Sequence, residues 1–169
     1  MAVQDPATGR IRFAVVPASY VFLLRETACG GGRGDDAAVT EVLLQLRRDT
    51  GFMDGFWAAA AAGHVERGET AEDAARREAR EEIGVSDLDL AFATAMQRTG
   101  RDLPIDERID FFFTARSWSG EPRIMESAKC ADLRWFRLDA LPDPVVPHEA
   151  VVLAGLRDGD LPALSHHGF

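Results

Sequence analysis

The hydrophobic and polar positions of this chain change period along its length, and each change predicts a new element. Runs of apolar and β-branched residues at Arg12–Arg25 and Val39–Arg47 indicate strands. The first run contains Pro17, so it forms either one strand or two short strands that break near that residue. Residues 1–10 show no such pattern and are expected to be a loose start.

The second half of the chain continues the alternation of strands and loops. Further strands are predicted at Leu88–Thr99, Arg108–Trp118 and Leu133–Leu138. The middle one carries three consecutive phenylalanines, which fits a strand covered on both faces. An amphipathic helix is predicted over His148–Arg157, ended by Gly159. The tail that follows, with His166 and His167, is expected to be frayed.

A helical period appears between the second and third strands. Thr70 is a candidate N-cap, and Asp73 three residues later completes a weaker form of the capping box. Gly84 supplies the left-handed stop. Small apolar residues recur every fourth position between these signals, at Ala71, Ala75, Ala79 and Ile83. We therefore predict a helix that packs closely on its neighbour through an alanine-rich face.

The same helix carries acidic side chains on another face. Glu78, Glu81 and Glu82 are spaced i, i+3 and i+4, where like charges repel and weaken a helix. A hard divalent cation is the commonest chemical reason to keep such a cluster, because Mg²⁺ and Mn²⁺ prefer carboxylate oxygens. The alternative is a solvated surface helix in which neighbouring arginines pair with the acids.

The order of residues around this helix separates the two interpretations. The segment carries a specific pattern of glycine, glutamate and arginine residues at set spacings: Gly63, Glu69, Arg77, Glu78, Glu81, Glu82 and Gly84, followed by the aliphatic Val85. By chance, seven specified residues would coincide at these spacings on the order of once in 10⁸ starting points. The segment Gly63–Val85 resembles the Nudix box of the Nudix hydrolase superfamily, in its MutT-like form. The resemblance implies the α/β class, as an α/β/α sandwich with a mixed β-sheet.

The resemblance also implies a metal centre that holds Mg²⁺ or Mn²⁺. Its ligands would be the carboxylates of Glu78, Glu81 and Glu82 and the backbone carbonyl of Ala62. Family members commonly carry a Pro-Gly or Gly-Gly pair just before the box glycine, whereas this chain has the alanine run Ala58–Ala62. A carbonyl ligand needs no particular side chain, so the alanines change the expected shape of the loop rather than the ligand set.

Further roles follow from the box and its surroundings. Arg77 would orient Glu78 through an ion pair, and Glu81 would either bind metal or assist proton removal. Glu69 is expected to stabilise the start of the helix rather than to touch the metal. The box glycines Gly63, Gly68 and Gly84 would shape the backbone.

Two assignments lie outside the box. The family's general base is often an acid on a later loop; Glu126 is our candidate, with Glu107 as its rival. Arg47 and Arg48, at the end of a predicted strand, are candidate contacts for substrate phosphates.

Composition narrows the class of protein. A chain of 169 residues with 46% hydrophobic residues suggests a single domain over residues 1–169. The net charge of −9 argues against binding a nucleic acid polymer, and no apolar run is long enough for a membrane helix. Cys29 and Cys130 are expected to be isolated thiols in a reducing, cytoplasmic compartment. The glycine-rich segment 29–37 is expected to be a flexible connection, because it lacks the lysine of a P-loop.

The expected activity is metal-dependent hydrolysis of a nucleoside diphosphate joined to another moiety. The first candidate is a nucleoside triphosphate, ordinary or oxidised, cleaved to monophosphate and pyrophosphate. The preference follows from the small chain, which shows no large N-terminal extension. Nucleotide-sugar or ADP-ribose pyrophosphatase is the alternative, and a non-catalytic nucleotide sensor is the alternative of another class. The expected partner is a small nucleotide, and a homodimer is possible.

Overall fold

The computed structural model describes residues 2–28, 38–100 and 103–169 of the chain. The strands are β1 Ala2–Gln4, β2 Ile11–Phe13, β3 Val16–Ala28, β4 Ala38–Arg47, β5 Trp57–Ala59, β6 Ala61–His64, β7 Leu90–Arg98, β8 Arg108–Ala115, β9 Cys130–Arg137 and β10 Leu164–His167. The helices are α1 Ala71–Ile83 and α2 Pro147–Asp158, with a 3₁₀ turn at Pro104–Asp106. Both α-helices and the main strands therefore lie close to their predicted positions.

A mixed sheet forms the centre of the molecule, as expected. Its main path runs β10-β7-β8-β3-β4-β5, with β6 also paired to β3 and β9 to β4. Strand β3 joins the two halves of this sheet. Its first part, Val16–Leu23, lies parallel to β8, while Leu24–Ala28 lies antiparallel to β4. The predicted break before the long strand occurs at residues 14–15, and Pro17 lies within β3.

One helix covers each face of the sheet. Along β3, alternate side chains point to opposite sides, as the strand period requires. Val21 and Leu23 share a core cluster with residues of α1, namely Ala75, Ala79 and Ile83. Tyr20, Phe22 and Leu24 share the other cluster with Val152 and Leu153 of α2. The α/β/α sandwich is therefore confirmed.

Helix α1 begins and ends at the predicted signals. The Thr70 side chain accepts from the Asp73 amide, and the Asp73 carboxylate accepts from the Thr70 amide, completing the capping box. Gly84 adopts a left-handed conformation with φ of 71° and ends the helix. The buried alanine face lets α1 lie close to β3 and β6, and Ser19 Oγ donates to the Ala71 carbonyl at 2.6 Å. This close packing fixes α1 beside β6, which carries Ala62 and Gly63.

Three local expectations were wrong. The C-terminal tail is not frayed, because Leu164–His167 pairs in parallel with β7 and satisfies the backbone of that edge. Residues 1–10 are not wholly loose, because β1 pairs with β2 in a hairpin. The alanine run is not a loop but strand, in β5 and β6. In each case backbone pairing overrides a weak local propensity.

The remaining sequence predictions concern the glycine-rich segment, the cysteines and membrane-spanning helices. The segment 29–37, including Cys29, lies outside the described residues, so its predicted flexible connection is untested. Cys130 is a buried free thiol. Among the described helices, none has the length and apolar character needed to cross a membrane.

Candidate active site

The acidic face of α1 turns towards β6, where Glu78 lies against Gly63 and Glu82 against Ala62. Glu78 is largely enclosed, with 13% of its side chain exposed, whereas 56% of the Glu81 side chain remains exposed. Glu82 is half-buried. The three carboxylates predicted from their spacing therefore differ in environment, although they belong to one helix face.

Arg77 holds three acids at once. Its Nε and one terminal nitrogen donate to the two oxygens of Glu69 at 2.9 and 3.1 Å. The other terminal nitrogen donates to Glu78 Oε1 at 2.6 Å and to Glu81 Oε2 at 3.2 Å. The guanidinium also donates to the His64 carbonyl at 3.0 Å. A planar fork with five donors suits this arrangement, and a lysine would not reproduce it.

Glu82 is held by the strand under the helix rather than by Arg77. The Ala62 amide donates to Glu82 Oε2 at 2.9 Å, and Gln45 Nε2 approaches the same oxygen at 3.4 Å. Gln45 also donates to the Ala59 carbonyl at 3.1 Å. Ala62, whose carbonyl is the expected ligand, thus lies next to the glutamate that it would join in binding a metal.

Charge and burial shift the proton affinity of these acids. Burial, together with the charges of Glu78 and Glu126, raises the pKa of Glu82 to about 7, although the hydrogen bond from the Ala62 amide opposes the shift. Burial also raises the pKa of Glu78, although Arg77 opposes that shift. Carboxylates that are buried together without enough positive charge gain from a cation.

Glu126 joins this cluster through a loop anchored on the end of α1. The Arg123 amide donates to the Ile83 carbonyl and the Met125 amide to the Glu82 carbonyl, each at 3.0 Å. Lys129 pairs with Glu126 at 2.8 Å. The loop therefore carries Glu126 to the acids of the helix.

The other acid and glycine predictions have clear positions. Glu107, the rival base, accepts a hydrogen bond from Thr99 Oγ1 at 2.7 Å. At Gly63 a Cβ would lie 1.9 Å from Glu78 Oε1, so only glycine leaves room for that carboxylate. At Gly68 a positive φ of 86° favours glycine for conformational reasons.

The donor set suits a hard cation, but its atoms are not yet arranged around one. Among residues 2–28, 38–100 and 103–169, no three His, Cys, Asp or Glu side chains are grouped so that they could hold a metal ion. Glu78 is turned to Arg77, and Glu82 to the Ala62 amide. The clustered oxygens and the raised pKa values of Glu78 and Glu82 fit Mg²⁺ or Mn²⁺, and these contacts engage Glu78 through Oε1 and Glu82 through Oε2.

The two candidate phosphate contacts have different surroundings. The Arg47 guanidinium donates to the Phe52 carbonyl at 2.8 Å and to Thr50 Oγ1 at 3.0 Å. Arg47 also lines a cavity whose wall includes Ala62 and Gly63 of β6. Arg48 donates to the Ser127 carbonyl, next to Glu126. Of the two arginines, Arg48 is therefore the one that contacts the loop carrying the candidate base, Glu126.

Sequence reasoning missed the polar residues that line that cavity and the buried acid that two of them bind. Asp110 is fully buried and bound by Arg98 at 2.8 Å and by Arg108 at 3.1 Å. His148 and Glu149 of α2 are buried beside them. The available signal was an acid between two apolar residues in a strand, since a charge there is rarely buried unless it is paired.

Comparison with known proteins agrees with the fold and the box. Residues 32–156 match the family model described as the NUDIX domain. A structure of a MutT NUDIX hydrolase from Burkholderia pseudomallei superimposes with a TM-score of 0.62 at 24% identity, covering 80% of this chain and 96% of that one. At that identity the likeness supports the fold.

Two curated relatives share more of the sequence. A protein of Chromobacterium violaceum named NAD-capped RNA hydrolase NudC is 35% identical over 84% of this chain and 46% of its own length. A protein of the same name from Pseudomonas aeruginosa is 36% identical over 83% of this chain and 43% of its own length. The chain thus matches less than half of each relative.

Proposed function

Because the chain belongs to the NUDIX domain family, we propose that it is a metal-dependent hydrolase that cleaves the diphosphate linkage of a nucleoside diphosphate derivative. One arrangement carries this proposal: the Arg77-bound acidic face of α1, with Glu82 against Ala62 and Glu126 brought alongside. A surface helix would leave such acids solvated, whereas here Glu78 is largely enclosed.

Glu78, Glu81, Glu82 and the Ala62 carbonyl would hold Mg²⁺ or Mn²⁺. When bound, such an ion neutralises phosphate oxygens and lowers the pKa of an attacking water. The chain's own contribution is to fix the carboxylates. Arg77 orients Glu78, the Ala62 amide fixes Glu82, and Gly63 leaves space between strand and helix.

Glu126 is our proposed proton acceptor for the attacking water. Its loop is tied to the C-terminal carbonyls of α1, so it moves with the metal-binding helix. Lys129 pairs with it at 2.8 Å. Glu81, the most exposed acid of the helix face, is the second candidate for this role.

The first substrate candidate is a nucleoside triphosphate, which would yield a monophosphate and pyrophosphate. The relatives named NAD-capped RNA hydrolase favour a second candidate, a diphosphate that links two nucleosides or a nucleoside and a sugar. Both carry the same diphosphate linkage, so the same acidic face would serve either. Their products distinguish them.

The test is a product assay over both substrate classes. Purified protein is incubated with nucleoside triphosphates, oxidised analogues, NAD, ADP-ribose and nucleotide sugars, with Mg²⁺, with Mn²⁺ or with chelator. Pyrophosphate from a triphosphate supports the first candidate, and two monophosphate products from a conjugate support the second. Either activity should disappear with chelator.

Glu82→Gln is the decisive variant, since it keeps an acceptor for the Ala62 amide while removing a charged ligand. We expect turnover to fall by about 10²-fold or more with the fold intact. Glu72→Gln, on the exposed first turn of α1, is the matched control. Unchanged turnover in Glu82→Gln would refute the assignment of the metal centre, and nucleotide binding without turnover in the wild type would support the sensor class.

A further inference from the structure

The loop that carries Glu126 also carries Lys129, the only lysine among the 19 lysines and arginines of the sequence. The Lys129 Nζ atom donates to Glu126 Oε2 at 2.8 Å. Over the described ranges of the chain, this is the only hydrogen bond that the Glu126 carboxylate accepts, and Oε1 is left free. The pair thus fixes one oxygen of the proposed proton acceptor and leaves the other available.

Backbone hydrogen bonds hold the turn between these two residues. The amides of Lys129 and Cys130 both donate to the Glu126 carbonyl, at 3.0 and 3.1 Å. The Arg48 amide donates to the Lys129 carbonyl at 2.8 Å, and the Arg48 guanidinium donates to the Ser127 carbonyl. Arg48 follows β4 directly, so the turn is pinned to the central sheet as well as to α1. With the backbone fixed at both residues, the ammonium sets the direction of the carboxylate.

The surroundings of the pair are acidic. Burial is the main reason for the raised pKa values of Glu78 and Glu82, and the charge of Glu126 adds to both. The hydrogen bond to Glu126 is the main reason that the pKa of Lys129 is raised, with smaller effects of Glu82 and Glu78. Lys129 therefore stays protonated. Without a cation at this place, like charges would push the Glu126 carboxylate away from the acids of α1.

A lysine suits this task better than an arginine. Arg137 binds both carboxylate oxygens of Asp139 through two nitrogens, and Arg157 does the same with Asp158. A guanidinium fork matches both oxygens of a carboxylate, whereas an ammonium is a point charge that can bind one. At Glu126 a fork would cover the oxygen that has to take a proton.

We propose that Lys129 is the positioning residue of Glu126, and that its ammonium holds Oε2 so that Oε1 can accept the proton of the attacking water. The inference rests on the proposed function, in which Glu126 is the proton acceptor. In that step the water oxygen bonds to phosphorus, one water proton passes to Oε1, and the electron pair of the broken P–O bond leaves with the departing phosphate. Lys129 keeps its proton throughout.

The first test is a double-mutant cycle in steady-state kinetics with Mg²⁺ and the hydrolysed substrate. Lys129→Met should lower kcat about 10-fold and leave KM unchanged, because the base loses its direction while the diphosphate is bound elsewhere. Glu126→Gln should lower kcat by about 100-fold. In the Glu126→Gln background, Lys129→Met should cost nothing further, because Lys129 acts only through Glu126. Losses that multiply, or a raised KM with unchanged kcat, would overturn the proposal in favour of a direct contact with substrate.

Two substitutions complete the kinetic test. Arg157→Met breaks an exposed ion pair on α2 and should leave kcat and KM unchanged. Lys129→Arg keeps the charge but offers a fork to both oxygens, so kcat should fall here as well. Full kcat in Lys129→Arg would refute the contact with a single oxygen. The urea midpoint of Lys129→Met should match that of the wild type, because an exposed ion pair contributes little to stability.

A second test needs no turnover. Because the chain has one lysine, acetylation of its side chain by acetic anhydride can be followed in chelator-treated protein by mass spectrometry of the Lys129 peptide. Glu126→Gln should raise the acetylation rate, because the amine loses the partner that holds its proton. Glu72→Gln, at an exposed acid of α1, should not. Equal rates in the wild type and Glu126→Gln would show that the ion pair does not form in solution and would overturn the proposal.

Failure of this inference differs from failure of the proposed function. Full kcat in Glu126→Gln, with turnover that Glu82→Gln abolishes, would refute the role of Lys129 and keep the hydrolase assignment. A wild type that hydrolyses none of the tested substrates would refute both, even where the acetylation rates show the ion pair.

Discussion

Arg77 shows how one side chain can organise a charged site. It binds Glu69 with two nitrogens and reaches Glu78 and Glu81 with the third. Without it, adjacent carboxylates on α1 would repel each other, and Glu78 would have no fixed direction. Arginine at this position therefore acts on geometry as much as on charge.

The first prediction concerns Gly63, which contacts Glu78 closely. Gly63→Ala would place a Cβ 1.9 Å from Glu78 Oε1, so the carboxylate must move. We expect kcat to fall by about 10-fold or more, because the displaced group is a proposed metal ligand. Steady-state kinetics with Mg²⁺ would measure the loss.

Gly68→Ala is its matched control. In the part of the chain that the structure describes, no atom lies within 4 Å of a Cβ built there, but its φ of 86° strains any L-residue. This variant should lose about 1–2 kcal/mol of stability while keeping its turnover. If both variants kept full turnover, the close contact at Gly63 would have no catalytic meaning.

At the scale of elements, the two ends of α1 were predictable because the signals that set them are local. Thr70, Asp73 and Gly84 act within a few residues of sequence, and each stands where the sequence placed it. The strands of the alanine run were not predictable, because alanine favours helices and only pairing with β3 and β4 makes them extended.

The second prediction tests that local start. Thr70→Ala removes the oxygen that accepts from the Asp73 amide and should cost about 1 kcal/mol in urea unfolding. Turnover should change little at temperatures well below the midpoint, since α1 remains packed through its buried face. Thr70→Ser keeps the oxygen and should retain most of the stability; an equal loss in both variants would contradict a capping role.

Across the whole molecule, the sequence predicted the box and the class of fold, but not the cavity. The box lies in one continuous stretch, whereas the cavity wall draws Arg98, Asp106, Arg108 and His148 from distant segments. Side chains that meet only through tertiary packing leave no periodic signal in one sequence. The expectation that residues 1–169 form a single domain stays a prediction.

The third prediction is a pH dependence of global stability. Burial raises the pKa of Glu149 to about 8, although the Ala59 amide that donates to it opposes the shift. The folded state thus keeps a proton that the unfolded chain releases above its ordinary pKa of 4.5. The stability from this group is complete below that value and is lost as the pH rises towards 8.

Glu149→Gln removes the titration and keeps an acceptor for Ala59. As the pH rises from 5 to 8, the unfolding free energy of the variant should increase relative to that of the wild type, by up to about 1.4 kcal/mol per pH unit. Urea unfolding of chelator-treated protein over this range would measure it, with Glu72→Gln as the control for the lost charge. Parallel profiles for wild type and Glu149→Gln would show that Glu149 is charged in the folded state.

The loop that carries Glu126 has a consequence for how the chain can vary. Its anchors are the backbone amides of Arg123 and Met125, which donate to carbonyls at the end of α1. Backbone contacts do not depend on side-chain identity, so substitutions at these positions can accumulate without moving Glu126. An insertion or deletion between Arg123 and Glu126 would shift the acid along the chain, and the loop is therefore constrained in length rather than in composition.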